Sequence, residues 1–185
     1  MRIVGGRYRG RTIGGPLTGA IRPTSDRLRE AIFNILEHAY GDPVPGARVL
    51  DLFAGTGAMG LEALSRGASF CLFVDQGVEA RSLMRGSIEA LGCGGEARIF
   101  RRDAARLGKA KPLAPFSLVF CDPPYGRTLA PPALAAALAG GFLAQNAVIV
   151  VEEAKGAEFA FPEGFAEAER RAYGDTLIAI GRSRA

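Results

Sequence analysis

Tryptophan is absent from this chain, histidine occurs once, and only three cysteines are scattered through 185 residues. His38 alone cannot build a zinc site of the usual Cys/His type, and Cys71, Cys93 and Cys121 show no C-x-x-C spacing. Metal-dependent chemistry is therefore not expected. Cys71 and Cys121 sit in apolar runs, as buried free thiols of a reducing compartment do. His38 reads as a helix-end residue. The first seven residues lack the apolar core of a signal peptide. Residues 128–151 carry no charge, but Pro131-Pro132, Gly140-Gly141 and Gln145-Asn146 divide them. They read as a buried helix followed by a strand rather than one membrane span. The expectation is a cytoplasmic, monomeric protein with no membrane partner.

Hydrophobic residues make up 48 % and charged residues 23 %, the balance of a globular domain with a sizeable core. The formal charge is only +4, and it is unevenly placed. The first 30 residues hold Arg2, Arg7, Arg9, Arg11, Arg22, Arg27 and Arg29 against Asp26 and Glu30. The body is near neutral. A basic segment on a neutral body points to a polyanionic partner, although a solvated face has the same composition.

Residues 2–4 and 8–13 are short extended candidates around Gly5-Gly6, which predicts an N-terminal β-hairpin or arm. Thr24, Ser25 and Asp26 are candidate caps for a helix with an apolar stripe of Leu28, Ala31, Ile32, Ile35 and Leu36. Residues 1–40 thus form a small basic extension, and residues 41–185 the main domain. From residue 48 onward, apolar strands over 48–53, 70–74, 97–100, 116–121 and 147–151 alternate with helices. Residues 168–173 and 176–180 flank Gly174-Asp175 as a terminal hairpin. This pattern predicts an α/β fold, a doubly wound, mostly parallel sheet closed by an antiparallel hairpin. Ligands of such sheets bind beyond the strands' carboxyl ends, where Asp51, Asp75, Asp103 and Asp122 all fall.

Residues 51–60, Asp-Leu-Phe-Ala-Gly-Thr-Gly-Ala-Met-Gly, span the first strand–helix turn and contain G-x-G-x-x-G. Asp75 follows Gly55 by 20 residues, the spacing of a ribose-binding acid. These features leave a nicotinamide dehydrogenase open. Asp51, however, would repel a pyrophosphate and attract an ammonium or sulfonium group. S-adenosyl-L-methionine carries both and has no phosphate. Asp103, or the amide of Ala104, can meet an adenine edge, although Asp103 also fits a simple cap.

The apolar run 116–121 ends in Asp122-Pro123-Pro124-Tyr125. Prolines lack an N–H, so their carbonyls stay available, and Tyr125 offers a stacking face. An acid, free carbonyls and an aromatic ring can hold a flat ring that bears an exocyclic amine. The tetrapeptide alone also fits an ordinary strand-end turn, and spacing does not choose among guanine N2, adenine N6 and cytosine N4. A thiol nucleophile at Cys121 is disfavoured, because adjacent strand residues face opposite sides.

The glycine loop, Asp75 and Asp122-Pro123-Pro124-Tyr125 together resemble the class I S-adenosylmethionine-dependent methyltransferases. Residues 2–11, 22–30, 51–60 and 61–67 resemble, more specifically, the bacterial 16S rRNA guanine-N2 methyltransferases that act on guanine 966. The resemblance implies S-adenosyl-L-methionine as cofactor and 16S rRNA, free or in a 30S particle, as partner. It implies a cofactor set of Asp51, Gly55, Gly57, Asp75 and Asp103, flanked by the further candidates Phe53, Gln76, Ala104 and Thr24. Asp122, Pro123 and Tyr125 match the catalytic motif. The RNA-binding candidates are Arg2, Arg7, Arg9, Arg11, Arg22 and Arg27.

Overall fold

The structure is a computed structural model that describes residues 1–15 and 24–184. Helix α1 (Asp26–Ala39) leads into a regular alternation. It comprises β1 (Arg48–Leu52), α2 (Ala58–Ser65), β2 (Phe70–Val74), α3 (Val78–Leu91), β3 (Ala97–Phe100), β4 (Phe116–Cys121) and α4 (Ala130–Ala139). Strands β5 (Leu143–Ala154), β6 (Phe165–Tyr173) and β7 (Thr176–Ser183) complete one seven-stranded sheet of order β3-β2-β1-β4-β5-β7-β6. Strands β1 to β5 run parallel, and β7 inserts antiparallel between β5 and β6. The expected doubly wound sheet with a terminal hairpin is present. Its order departs from the 3-2-1-4-5-6 of dinucleotide-binding sheets by that one insertion.

Strands β5, β6 and β7 are longer than the sequence pattern indicates. Strand β5 starts four residues before the apolar run 147–151, because a register shift lies between its pairings at Phe116 and Leu118. Exposed Gln145 and Asn146, the latter at φ 55°, occupy that irregularity and break the apolar pattern. Strand β6 starts at Phe165, ahead of the charged residues that mask its alternation.

The sheet divides the core in two. Val49, Leu118, Phe120, Val148 and Val150 pack under α1, α2 and α3, while Leu50, Leu52, Val119, Cys121 and Ile149 pack with α4. Cys121 lies on the α4 side, as the alternation of strand residues requires. Helix α1 begins where Ser25 Oγ accepts from Leu28 N–H, and it buries Ile32, Phe33, Ile35 and Leu36. Among the described residues, no helix is long and apolar enough to cross a membrane.

The N-terminal segment expected as a hairpin over residues 2–4 and 8–13 does fold back on itself, as a short irregular hairpin with one antiparallel bridge, Arg2 to Thr12. Ile3 N–H donates to the Arg11 carbonyl at 3.0 Å, Gly10 N–H to the Ile3 carbonyl at 2.9 Å and Ile13 N–H to the Met1 carbonyl at 3.1 Å. The donors at its turn go to α2. Val4 and Gly5 N–H donate to Glu62 at 2.9 and 2.7 Å, and Tyr8 N–H donates to Ser65 Oγ at 2.9 Å. Ile3 and Ile13 are buried in the same core cluster as α1 and α2. This segment is an anchored part of the fold, not a free arm.

Glu62 is fully buried and fully used. Besides the two amides, it accepts from Arg29 Nε at 3.2 Å and from Arg66 Nε at 2.9 Å. Arg29, likewise fully buried, also donates to Asp26, to the Arg2 carbonyl and to the Thr24 carbonyl at 3.4 Å. Removing one partner of such a pair leaves the other as an uncompensated buried charge, at a cost of roughly 3–5 kcal/mol. We expect Glu62→Ala to lose about that much in urea unfolding. A loss below about 1 kcal/mol would show that Glu62 is not the tie.

Candidate active site

Strand register sets the site. Leu52 pairs with Val74 on one side and Cys121 on the other. Phe53, Asp75 and Asp122, next in each strand, therefore leave the sheet at one level. A cavity of about 640 Å³ opens there, within the size range of small-molecule sites. Its walls come from the turn after β1, the start of α3, the end of β4, and Thr24, Arg102, Ala104 and Glu152.

Asp51 is buried beneath the turn, and its Oδ2 accepts the Gly60 N–H at 3.0 Å. That contact closes the first turn of α2, whose N-cap Gly57 has no side chain to do so. Burial raises the Asp51 carboxyl to about 8, with the Gly60 amide opposing and the nearby Asp75 charge adding to the rise. Asp75 Oδ2 accepts Gly55 N–H at 2.9 Å and its Oδ1 accepts Gly77 N–H at 2.7 Å. Each oxygen retains a second lone pair for a ligand hydroxyl.

The glycines do different work. Gly55, at φ 54°, lines the cavity. Gly57 does not. It is left-handed at φ 79°, and a Cβ there would stand 2.9 Å from Met84 Cγ. A Cβ on Gly60 would stand 2.4 Å from the Phe73 ring. Gly57 and Gly60 thus let α2 pack closely on β2 and α3.

Of the expected cofactor residues, Asp51, Phe53, Gly55, Asp75, Gln76, Ala104 and Thr24 line the cavity. Asp103 does not. Its Oδ1 accepts Ala105 N–H at 2.9 Å and caps the short 3₁₀ turn Ala104–Arg106. The adenine-edge alternative therefore passes to Ala104. Asp122, Pro123 and Tyr125 all line the cavity. Tyr125 Oη donates to Glu152 Oε1 at 2.8 Å and lies 3.1 Å from Thr176 Oγ1. Burial, with Glu152 beside it, pushes the phenol well above its ordinary value. None of Arg2, Arg7, Arg9, Arg11 and Arg27 lines the cavity; all are exposed. Arg7 pairs with Glu96, and Arg11 donates to the Ala90 carbonyl at 2.7 Å. Arg22 lies outside the described residues.

Sequence reasoning missed Glu152, Glu79 and Arg102, which also line the cavity. Glu152 follows the apolar run of β5 just as Asp122 follows that of β4, and that parallel was the available signal. With them, the wall formed by the described residues holds Asp51, Asp75, Glu79, Asp122 and Glu152 against Arg102. Such a cavity favours a cationic ligand over a pyrophosphate.

The protonation of Asp51 gives a test with a definite sign. An unfolded aspartate loses its proton near 3.9, whereas the folded one keeps it to about 8. Between these values the folded state binds the extra proton, so Asp51 destabilises the ligand-free protein increasingly as pH rises, by up to about 1.4 kcal/mol per pH unit. Asp51→Asn keeps an oxygen for Gly60 and removes the titration. We expect its unfolding free energy to fall less steeply between pH 5 and 8 than that of the wild type. Parallel curves would contradict the assignment.

The family model described as Conserved hypothetical protein 95 matches residues 1–182. Ribosomal RNA small subunit methyltransferase D of Escherichia coli K12 is 37 % identical over 152 residues, which are 82 % of this chain and 74 % of that protein. The protein of the same name from Haemophilus influenzae is 32 % identical over 167 residues, 89 % of this chain and 84 % of that one. An Escherichia coli structure solved as "Putative methyltransferase yhhF" superposes with a TM-score of 0.83 at 29 % identity, covering 100 % of this chain and 98 % of that chain. The chain belongs to the Conserved hypothetical protein 95 family, the S-adenosylmethionine-dependent methyltransferases that include ribosomal RNA small subunit methyltransferase D.

Proposed function

We propose that this protein methylates the exocyclic N2 of one guanine of 16S rRNA, the base at position 966, in the cytoplasm and on an assembling or assembled 30S particle. One observation carries this reading: Asp122-Pro123-Pro124-Tyr125 and the Asp51–Asp75 wall open into a single cavity. An amine-binding motif and an acid-walled nucleoside site thus share one space.

The residues present fit S-adenosyl-L-methionine. Asp75 offers acceptors for ribose hydroxyls, Ala104 stands where an adenine edge can be met, and Asp51 offers a carboxyl that an ammonium beside it would bring to its charged form. When bound, the cofactor supplies an electrophilic methyl group on a sulfonium. The chain's own groups do the rest. Asp122 and the Pro123 carbonyl accept the two N–H bonds of the amine and direct its lone pair toward the cavity. The Asp122 carboxylate stabilises positive charge developing on nitrogen and is placed to take the departing proton. The Tyr125 ring stacks on a base splayed out of its helix.

We expect Asp122→Ala to lower methyl transfer to unmodified 30S particles by at least about a hundredfold, the scale of one lost charge-stabilising group. Its cofactor affinity should stay within threefold, and the wild-type product should be N2-methylguanosine by nucleoside mass analysis. Near-normal turnover would remove Asp122 from the chemistry. N6-methyladenosine as product would move the reading to an adenine amine.

Of the RNA-binding candidates that the structure describes, Arg2, Arg9, Arg11 and Arg27 are exposed and make no ion pair among the described residues, and Arg11 alone of these four donates to a backbone carbonyl, that of Ala90, which leaves Arg2, Arg9 and Arg27. We propose that they contact RNA phosphates. Deleting residues 1–12 would also remove Ile3 and the donors to Glu62, so charge removal is the cleaner test. Arg2→Gln with Arg9→Gln should reduce the slope of log affinity against log salt for 16S rRNA by about 1.4–1.8, two phosphate contacts' worth. An unchanged slope would place the RNA elsewhere.

A further inference from the structure

Three buried polar side chains stand behind the amine-binding motif, and methyl transfer as outlined does not use them. Thr24, Glu152 and Thr176 are 8, 7 and 5 % exposed. Buried polar groups persist only when their hydrogen bonds are made, so their partners report what they hold in place. Strand pairing puts Glu152 opposite Ile178 and Thr176 opposite Ala154, which makes Glu152 and Thr176 diagonal neighbours across the antiparallel β5–β7 pair. Both reach the Tyr125 hydroxyl, Glu152 Oε1 at 2.8 Å and Thr176 Oγ1 at 3.1 Å. A phenol has a single hydrogen, so it is given to the glutamate, and the Thr176 hydroxyl donates to the phenol oxygen.

The second oxygen of Glu152 leads to the acid of the motif. Thr24 Oγ1 lies 3.3 Å from Glu152 Oε2 and 3.3 Å from Asp122 Oδ2. One threonine hydrogen thus sits between two carboxylates. The chain from Thr176 through Tyr125, Glu152 and Thr24 to Asp122 joins β7, β5, the entry to α1 and the end of β4.

We propose that Glu152 is a positioning residue for the transfer site. It fixes the Tyr125 ring by its hydroxyl end and, through Thr24, holds the Asp122 carboxylate in register with that ring. The ring is then fastened both at Cβ and at Oη, so it presents its face and not its hydroxyl to the cavity. A ring held at both ends is a stacking surface that loses little freedom when a base arrives. In this role Glu152 acts on the reaction through Tyr125 and Asp122. This inference rests on the methyl-transfer reading above, and its test is read by a second signal that does not depend on the target base.

The experiment incorporates 3-fluorotyrosine into the full chain, assigns the Tyr125 fluorine resonance by its loss in Tyr125→Phe, and compares Glu152→Ala and Glu152→Gln. Turnover is measured on unmodified 30S particles, whichever methylated nucleoside forms. Glu152→Ala should lower kcat at least tenfold, leave the S-adenosyl-L-methionine Kd within threefold, and shift and broaden the Tyr125 resonance. Glu152→Gln, which retains an oxygen for the phenol, should restore the resonance and bring kcat to within about threefold of the wild type. Tyr125→Phe, which removes only the hydroxyl, should lower kcat in a folded protein, and this decides the matter if Glu152→Ala does not fold. Unchanged kcat in Glu152→Ala or in Tyr125→Phe would overturn the proposal. So would an unmoved Tyr125 resonance in Glu152→Ala, even with kcat reduced. If the product is not N2-methylguanosine, the guanine reading fails while the resonance still decides the role of Glu152.

Discussion

Everything at the N-terminal edge of this fold depends on one buried carboxylate. Glu62 accepts two backbone amides from residues 4 and 5 and two guanidinium donors, Arg29 and Arg66. A single buried charge is costly, and here four donors compensate it. The same contacts fix three chain segments at once: the opening residues, α1 and α2. Arg29 extends the tie to the carbonyl of Thr24, whose hydroxyl reaches Asp122. A structural ion pair and the Asp122 end of the cavity are therefore two hydrogen-bonded steps apart.

The cavity is the product of register. Parallel pairing of β2, β1 and β4 brings three strand ends to one level, and an acid stands at or beside each. The acids differ in their environment. Asp75 is satisfied by two loop amides and keeps the turn after β1 in place. Asp51 is buried with one amide and holds its proton to about 8. Asp122 stands at the rim with Tyr125. In the proposed function this gradation, from buried and protonated to partly exposed, lets one wall serve a cationic cofactor at one end and an amine at the other.

Much of this was legible in the sequence, for physical reasons. The alternation of apolar strands with helices is a period signal and gave the sheet, and strand-end acids located the cavity. Asp122-Pro123-Pro124-Tyr125 was readable because its groups are contiguous. What was not legible depends on contacts between distant residues. The expected N-terminal hairpin is short and irregular because Glu62 and Ser65, about 57 residues away, take the amides of Gly5 and Tyr8. Gly57 belonged to a binding motif by spacing but to helix packing by its neighbours Met84 and Phe73. Asp103 had the right place in the chain and spends its side chain on a cap. Glu152 carried the same strand-end signal as Asp122 but no neighbouring motif, so its partnership with Tyr125 required the β4–β5 pairing, Cys121 opposite Val151, to be seen.

The central claim is that the acid-walled cavity is built for a cationic, phosphate-free nucleoside. The most direct measurement is calorimetric titration at pH 7 with S-adenosyl-L-methionine and, separately, with NAD, each in buffers of different ionisation enthalpy. The account predicts binding of S-adenosyl-L-methionine with net release of protons, because a cation beside Asp51 drives off the proton that the ligand-free protein retains. It predicts no measurable binding of NAD. Binding of NAD, or of S-adenosyl-L-methionine without proton release, would contradict it.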